Sequence, residues 1–393
     1  MLILEMVLAA SIVLWLGLAI FWLWSAHGVT MLRPETSSPL PAQSPSVSII
    51  VPARNEEEVL PSCLASLLRL EYPDFHVIVV DDGSTDGTGR IADEWASRPM
   101  AQGRLRVIHN RELPPGWSGK VHALSLAARE APGDWILATD ADVVFHPAAL
   151  RTAMALALRR DVQFLSLAGQ IECGGFWERV VLPAFALLIS TLYPFRLVNQ
   201  PESARAIAAG GFILMRRQDF EALGGYEPIK NVVIEDVRIA EHFKRNGRRI
   251  YVGLCGDLFR TRMYTSVGEM WEGLSRSAFE GAGFSVVKIL AEVVAGIILC
   301  VLPWVVALAL ILRGAYQGHL FAGGVALSLA VVACVESVLI YLPVVLLLRV
   351  PVLYAFALPL AALFYSGVAL NSMLRSVLGA GVPWKGRRYR PPR

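Results

Sequence analysis

The stretch SVSIIVPARNEEEVLPSCLASLLRL, Ser46 to Leu70, decides the fold. A β-rich apolar run, Val47–Val51, ends in the polar turn Pro52-Ala53-Arg54-Asn55-Glu56, and an amphipathic helical pattern follows over Glu56–Leu70. A strand feeding a helix in this way is the unit of a parallel sheet with crossover helices. Outward from it the pattern repeats to about Tyr251. Strands are predicted at His76–Val80, Leu105–His109, Asp134–Thr139, Gln163–Ala168 and Ala206–Met215. Helices are predicted at Thr88–Ala96, Lys120–Arg129 and Asp236–Arg245. In such an open α/β sheet, ligands bind beyond the carboxyl ends of the strands.

On either side of this region the composition changes. The 393 residues are 55% hydrophobic, too apolar for an ordinary soluble chain. One apolar run, about Ile3–Trp24, precedes the α/β pattern, and three follow it, at about Ile289–Leu312, Leu320–Leu348 and Val352–Leu370. Each can cross a hydrocarbon core of roughly 30 Å. Glu5 and the length of the first run argue for an anchor over a cleaved signal. Glu292 and Glu336 interrupt the later runs and are expected to face other helices or a cavity.

The expected organisation is an anchor at 1–25, a linker at 26–45 rich in Pro and Ser (Pro34, Ser37, Ser38, Pro39, Pro41, Ser44, Pro45), a catalytic domain at 46–284, a transmembrane region at 285–375 and a basic cytoplasmic tail at 376–393. One span before and three after would put that tail across the membrane from the catalytic domain, against the positive-inside tendency. The Leu320–Leu348 run, with Pro343, is therefore the candidate for a re-entrant or double segment. The net charge of +3 owes much to Lys385, Arg387, Arg388, Arg390 and Arg393, which argues against a nucleic-acid partner. Five cysteines without a CxxC pair read as reduced thiols.

Three strand ends carry acids. Beyond the turn at Pro52–Glu56 lies Val79-Val80-Asp81-Asp82-Gly83-Ser84-Thr85-Asp86-Gly87-Thr88, where a carboxylate can accept from a nucleobase and the glycines allow close approach. A helix cap at Asn55, or an ordinary turn with an N-cap at the second site, would use the same residue types. The third is Thr139-Asp140-Ala141-Asp142, whose alternate carboxylates can face one ligand and, with substrate phosphates, hold Mg²⁺ or Mn²⁺. A fourth signal, Ile234-Glu235-Asp236, opens a helix; it supplies a general base or merely complements the helix dipole.

These placements together resemble the family 2 glycosyltransferases. Leu113-Pro114-Pro115-Gly116-Trp117-Ser118-Gly119-Lys120 looks like the G-W-x-G-K element of transferases acting on polyisoprenoid-type lipids. Leu182-Pro183-Ala184-Phe185, Leu192-Tyr193-Pro194-Phe195, Val198-Asn199 and Ala208-Ala209-Gly210-Gly211 look most like the hopene-associated members. The resemblance implies a nucleotide-sugar-binding, GT-A-like α/β domain. Pro52, Ala53, Asn55 and Glu56 would border the nucleotide and Asp82 would hold the base. Asp140 would contact donor ribose or sugar and join Asp142 at the metal, and Lys120 would contact the diphosphate. Asp236, with Glu235 beside it, would be the catalytic base. The implied activity is inverting, metal-dependent hexosyl transfer from a nucleotide sugar to a lipid or isoprenoid-like acceptor, by a multi-pass protein of the inner (plasma) membrane with a cytoplasmic catalytic domain.

The chain lacks the Q-x-x-R-W element of processive polysaccharide synthases and offers Arg260, Arg262, Trp271 and Arg276 instead. A processive synthase and a non-catalytic nucleotide-sugar-binding membrane protein are the alternatives. The run Trp177–Phe195, broken by Pro183 and Pro194, reads as an interfacial helix or as a core helix.

Overall fold

The computed structural model describes residues 1–34, 40, 41, 43–318 and 324–378, with the backbone of 382–384 and 387–389. Ser37, Ser38, Pro39, Leu320, Lys385, Gly386, Arg390 and Arg393, and the side chains of Trp384, Arg387, Arg388 and Tyr389, lie outside the described residues. The chain forms two compact units: Gly28–Glu172 with Phe195–Met263, and Met1–His27 with Cys173–Pro194 and the chain from Tyr264 onward.

The first unit is built on eight strands: β1 (Met31–Leu32), β2 (Val47–Ala53), β3 (Phe75–Asp81), β4 (Leu105–His109), β5 (Trp135–Ala138), β7 (Phe164–Ala168), β9 (Ile213–Arg216) and β10 (Ile250–Cys255). They lie in the order β1-β10-β7-β9-β5-β2-β3-β4. All neighbours pair in parallel except β9, which is antiparallel to both β5 and β7. The expected parallel sheet is therefore parallel-rich with one reversed strand. The central strand β2 is buried along nearly all of its length, as a strand covered on both faces must be. Pro52 lies beyond the β5 pairing, which ends at Ile50↔Ala138, so its missing N–H leaves no hole in that ladder. A smaller sheet joins β6 (Val143–Phe145), β11 (Phe259–Thr261) and β8 (Gln170–Ile171).

The helices of this unit are α2 (Leu60–Leu67), α3 (Thr88–Ala96), α4 (Gly119–Arg129), α5 (Ala149–Arg160), α7 (Phe195–Val198), α8 (Arg217–Ala222) and α9 (Glu235–Arg245). The predicted helix Glu56–Leu70 starts four residues late because other groups take the backbone N–H donors before it. Asn55 N donates to Ser84 Oγ, Glu56 N to Thr88 Oγ1 and Glu57 N to Asp86 Oδ2. Of the predicted strand Ala206–Met215 only its end pairs, since Ala209 N donates to the Ser166 side chain and Gly210-Gly211 forms a turn. Helix α5, strand β10 and the small sheet have no counterpart among the predicted elements.

The second unit is helical: α1 (Leu2–Ala26), α6 (Phe176–Leu192), α10 (Val267–Gly281), α11 (Val286–Gly296), α12 (Leu302–Tyr316), α13 (Gly324–Leu347) and α14 (Leu358–Val377). A π-helical turn, Ile297–Val301, joins α11 to α12. Four helices among the described residues are long and apolar enough to cross a membrane: Leu2–Ala26, Val286–Tyr316, Gly324–Leu347 and Val352–Val377. The segment suspected of being re-entrant or double is a single helix that keeps Pro343 inside it.

The run at Trp177 forms α6, which belongs to this helical unit and not to the α/β unit, with Val180, Val181, Leu182 and Ala184 buried. Tyr365 Oη donates to Val181 O at 3.3 Å, and Trp22 Nε1 donates to Thr191 Oγ1 at 3.0 Å. Small and hydroxylated residues join α10 to α14: Ser372 Oγ donates to Ser275 O, and a side chain at Gly367 would strike the Trp271 ring. Of the two acids in these apolar helices, Glu336 has a buried Oε2, whereas Glu292 is exposed.

Candidate active site

Strands β5, β2 and β3 are neighbours, so the three acidic turns after them lie side by side. The turns after β2 and β3 are laced together. Asn55, at φ 52° in the left-handed region that asparagine tolerates, accepts from Thr85 N through its Oδ1 at 2.9 Å. Glu57 accepts from Gly87 N at 2.8 Å, and Arg54 donates to the carbonyls of Asp82 and Gly83. Helix α2 begins at Leu60, so Asn55 is not its cap. Asp86 closes the turn into α3 by accepting from Thr88 N and Thr88 Oγ1, which leaves Asp82, only 3% exposed, outside that capping duty. Pro52 and Ala53 end β2, and Glu56 follows in the laced turn.

Strand β5 stops at Ala138, so Asp140 and Asp142 do not share a strand face as the alternation argument supposed; a turn presents them. Asp142 Oδ2 accepts from Thr261 Oγ1 at 2.9 Å. Burial pushes the Asp142 carboxyl up to about 6, and the neighbouring charges of Asp140 and Glu56 add to the shift, against the Thr261 hydrogen bond and Lys120. Acids that raise one another in this way would be relieved by a hard dication. One or two carboxylates suffice where substrate phosphates complete the shell. Among the described residues no group of three or more His, Cys, Asp or Glu is arranged to ligate a metal. The donor set thus fits Mg²⁺ or Mn²⁺ held jointly with a diphosphate.

Lys120 opens α4 and reaches between two acids, 2.6 Å from Asp140 Oδ1 and 2.6 Å from Glu235 Oε1. The residue expected at the diphosphate is here a bridge between the β5 turn and the start of α9. Glu235 is therefore committed to Lys120 and does more than complement a helix dipole. Asp236, next to it, accepts from Val237 N, and burial followed by the Glu235 charge pushes its carboxyl up to about 7, with Lys120 opposing.

Gly210 shows how closely the backbone passes. A Cβ there would lie 3.1 Å from Asp140 Oδ2 and 3.6 Å from both Asp236 Oδ2 and Lys120 Nζ. A small pocket is lined by Lys120, Asp140, Gly210, Tyr226 and Glu235. Sequence reasoning quoted Gly210 only within a motif and missed Tyr226 and Thr261, which carry no local signature. Arg260 is paired with Glu172 at 3.0 Å.

Residues 48–224 match the model of Glycosyl transferase family 2. The 4,4'-diaponeurosporenoate glycosyltransferase of Staphylococcus aureus (strain USA300) is 25% identical over 252 residues, covering 63% of this chain and 65% of that protein, slightly less than two thirds of its length. A mannosyltransferase, PcManGT from Pyrobaculum calidifontis, solved in complex with GDP-Man and Mn²⁺, aligns with a TM-score of 0.54 at 20% identity over 93% of this chain and 99% of that one. At that identity the likeness establishes the fold, a GT-A-like α/β domain with a parallel-rich sheet. Residues 48–224 are therefore a glycosyl transferase family 2 domain, in a chain that also carries four helices long and apolar enough to cross a membrane.

Proposed function

We propose that this protein is a membrane-bound, inverting glycosyltransferase that moves a sugar from a nucleotide-sugar donor to a lipid or isoprenoid-like acceptor. The observation that carries the proposal is the convergence of Asp140, Lys120 and Asp236 on Gly210, in line with Asp142 and Asp82 at neighbouring strand ends. Asp82 accepts from the nucleobase, with Pro52, Ala53, Asn55 and Glu56 bordering the nucleotide. Asp140 orients the donor ribose or sugar. Asp236 takes the proton of the acceptor hydroxyl as it attacks the anomeric carbon, and a single base acting opposite the leaving group gives inversion. Glu235 holds Lys120 against Asp140, and the ammonium offsets acidic charge where the diphosphate departs. Mg²⁺ or Mn²⁺, held through Asp142 with Asp140, would neutralise the leaving diphosphate.

A lipid acceptor is supported by the four apolar helices and by the name of the staphylococcal relative. Nucleotide sugars are made in the cytoplasm, which puts the α/β unit on the cytoplasmic face of the plasma membrane. The test incubates membranes containing the protein with a panel of labelled nucleotide sugars. One label should enter the lipid extract and disappear with Asp236→Asn. Label found only in polymer would identify a processive synthase, and donor binding without transfer or hydrolysis would identify a non-catalytic binder.

A further inference from the structure

Asp82 belongs to a buried polar chain that the transfer chemistry does not use. Asn110, just after β4, donates from Nδ2 to Asp82 Oδ1 at 2.8 Å, and the same Nδ2 lies 3.2 Å from His122 Nδ1 on α4. All three residues are buried, at 3%, 8% and 9% exposure. An ionised carboxylate only accepts, so the amide must turn its NH₂ toward Asp82. Its second hydrogen then meets His122 Nδ1, which must be unprotonated, and this network assigns the imidazole proton to Nε2. The backbone holds the chain in place: Asn110 N donates to Asp81 O at 2.8 Å, and Asp82 N donates to Ala53 O at 2.9 Å. Trp117 packs edge-on against the His122 ring at 5.4 Å between centroids. Gly83, at φ +64°, lets the turn pass the Asn110 carbonyl, which a Cβ there would approach to 3.3 Å.

We infer that Asn110 and His122 are positioning residues for nucleobase recognition: His122 orients the Asn110 amide, and the amide fixes the plane in which the Asp82 carboxylate meets a base N–H. The inference rests on the proposed role of this site in binding a nucleotide sugar. A buried carboxylate that accepts from the Asn110 amide resists swinging about its terminal torsion to suit a misplaced base, so the chain contributes to affinity for the base and to the choice among bases.

The experiment measures binding of UDP, GDP, CDP and ADP, and separately of inorganic diphosphate, to the full-length protein in detergent with Mg²⁺. Asn110→Ala should weaken the preferred nucleoside diphosphate about tenfold, the size of a lost hydrogen bond to a charged acceptor, and narrow its lead over the others. Inorganic diphosphate should bind within about twofold of wild type. His122→Leu, which leaves both Asn110 and Asp82 in place, should act in the same direction more weakly, and His122→Asn, which keeps an acceptor near the Nδ1 position, should restore binding. Unchanged nucleoside diphosphate binding in Asn110→Ala and His122→Leu overturns the inference. So does an equal loss for inorganic diphosphate, which would make the chain a packing element only. A wild-type protein that binds none of the four nucleotides instead overturns the reading of the whole site.

Discussion

Asp236 must be ionised to accept a proton, and burial beside Glu235 holds its carboxyl up to about 7. Turnover should therefore rise with pH through about 7, because the fraction of deprotonated base grows there; a flat kcat profile from pH 5 to 9 would remove Asp236 from the role. Asp236→Asn keeps the shape but cannot take the proton. It should lower kcat by about 10²–10⁴ with donor affinity near wild type. Glu235→Gln removes the neighbouring charge that raises Asp236 and should move the rising limb to lower pH at a smaller loss of kcat. Reversal of the two effects would reverse the roles. Asp142, pushed up to about 6 by burial and by Asp140, is the group that a divalent ion would hold ionised. Chelation should abolish transfer, and Asp142→Ala should weaken donor binding only when metal is present; full turnover in excess chelator would contradict the metal's role.

Helix α9 works at both ends. Its first turn presents Glu235 and Asp236, and near its last turn the buried Lys244 donates to Leu197 O at 3.2 Å, Val198 O at 2.6 Å and Arg205 O at 2.7 Å. Those carbonyls belong to the end of α7 and to the loop that runs on to Gly210, so one ammonium anchors the segment that passes the charged site. Lys244→Met keeps the aliphatic stem and loses every donor. It should cost roughly 1–3 kcal/mol in unfolding free energy, from carbonyls left without their partner. It should also lower kcat, through slack at Gly210, more than it changes nucleotide affinity. A stable variant with unchanged kcat would show that the loop is held by other contacts.

For the whole molecule, sidedness is the open quantity that one labelling experiment decides. In a background lacking the five native cysteines, a single cysteine near Ser44 should resist a membrane-impermeant reagent on intact cells, because the α/β unit is proposed to be cytoplasmic. Efficient labelling without permeabilisation would reverse that orientation. Four complete crossings put the tail on the other side from Ser44, whereas its basic charge favours the cytoplasmic face. Protection of a probe in the tail is the outcome expected from charge, and it means that one of the three apolar helices after Ser44 does not cross. Labelling of the tail alone is the outcome expected when all three cross.

Contiguous residues encode turn chemistry, periodicity and apolar length. From these alone came the strand-and-helix alternation, the acids Asp82, Asp140, Asp142 and Asp236 at strand and helix ends, and four apolar runs, each matched by a span-length helix. Partners brought together by sheet order have no such local trace. Thr261 and Asp142 are 119 residues apart in sequence, and Lys120 meets Glu235 only because α4 and α9 start beside the same strand ends. The reversal of β9 and the inclusion of α6 in the apolar unit likewise depend on which surface each segment buries, not on its own pattern. The sequence by itself determined the chemical groups and the elements that carry them. Only the tertiary structure decided that Asp140 and Glu235 hold Lys120 and that the Asn110 amide donates to Asp82, because hydrogen bonds and ion pairs are fixed by distances across the fold.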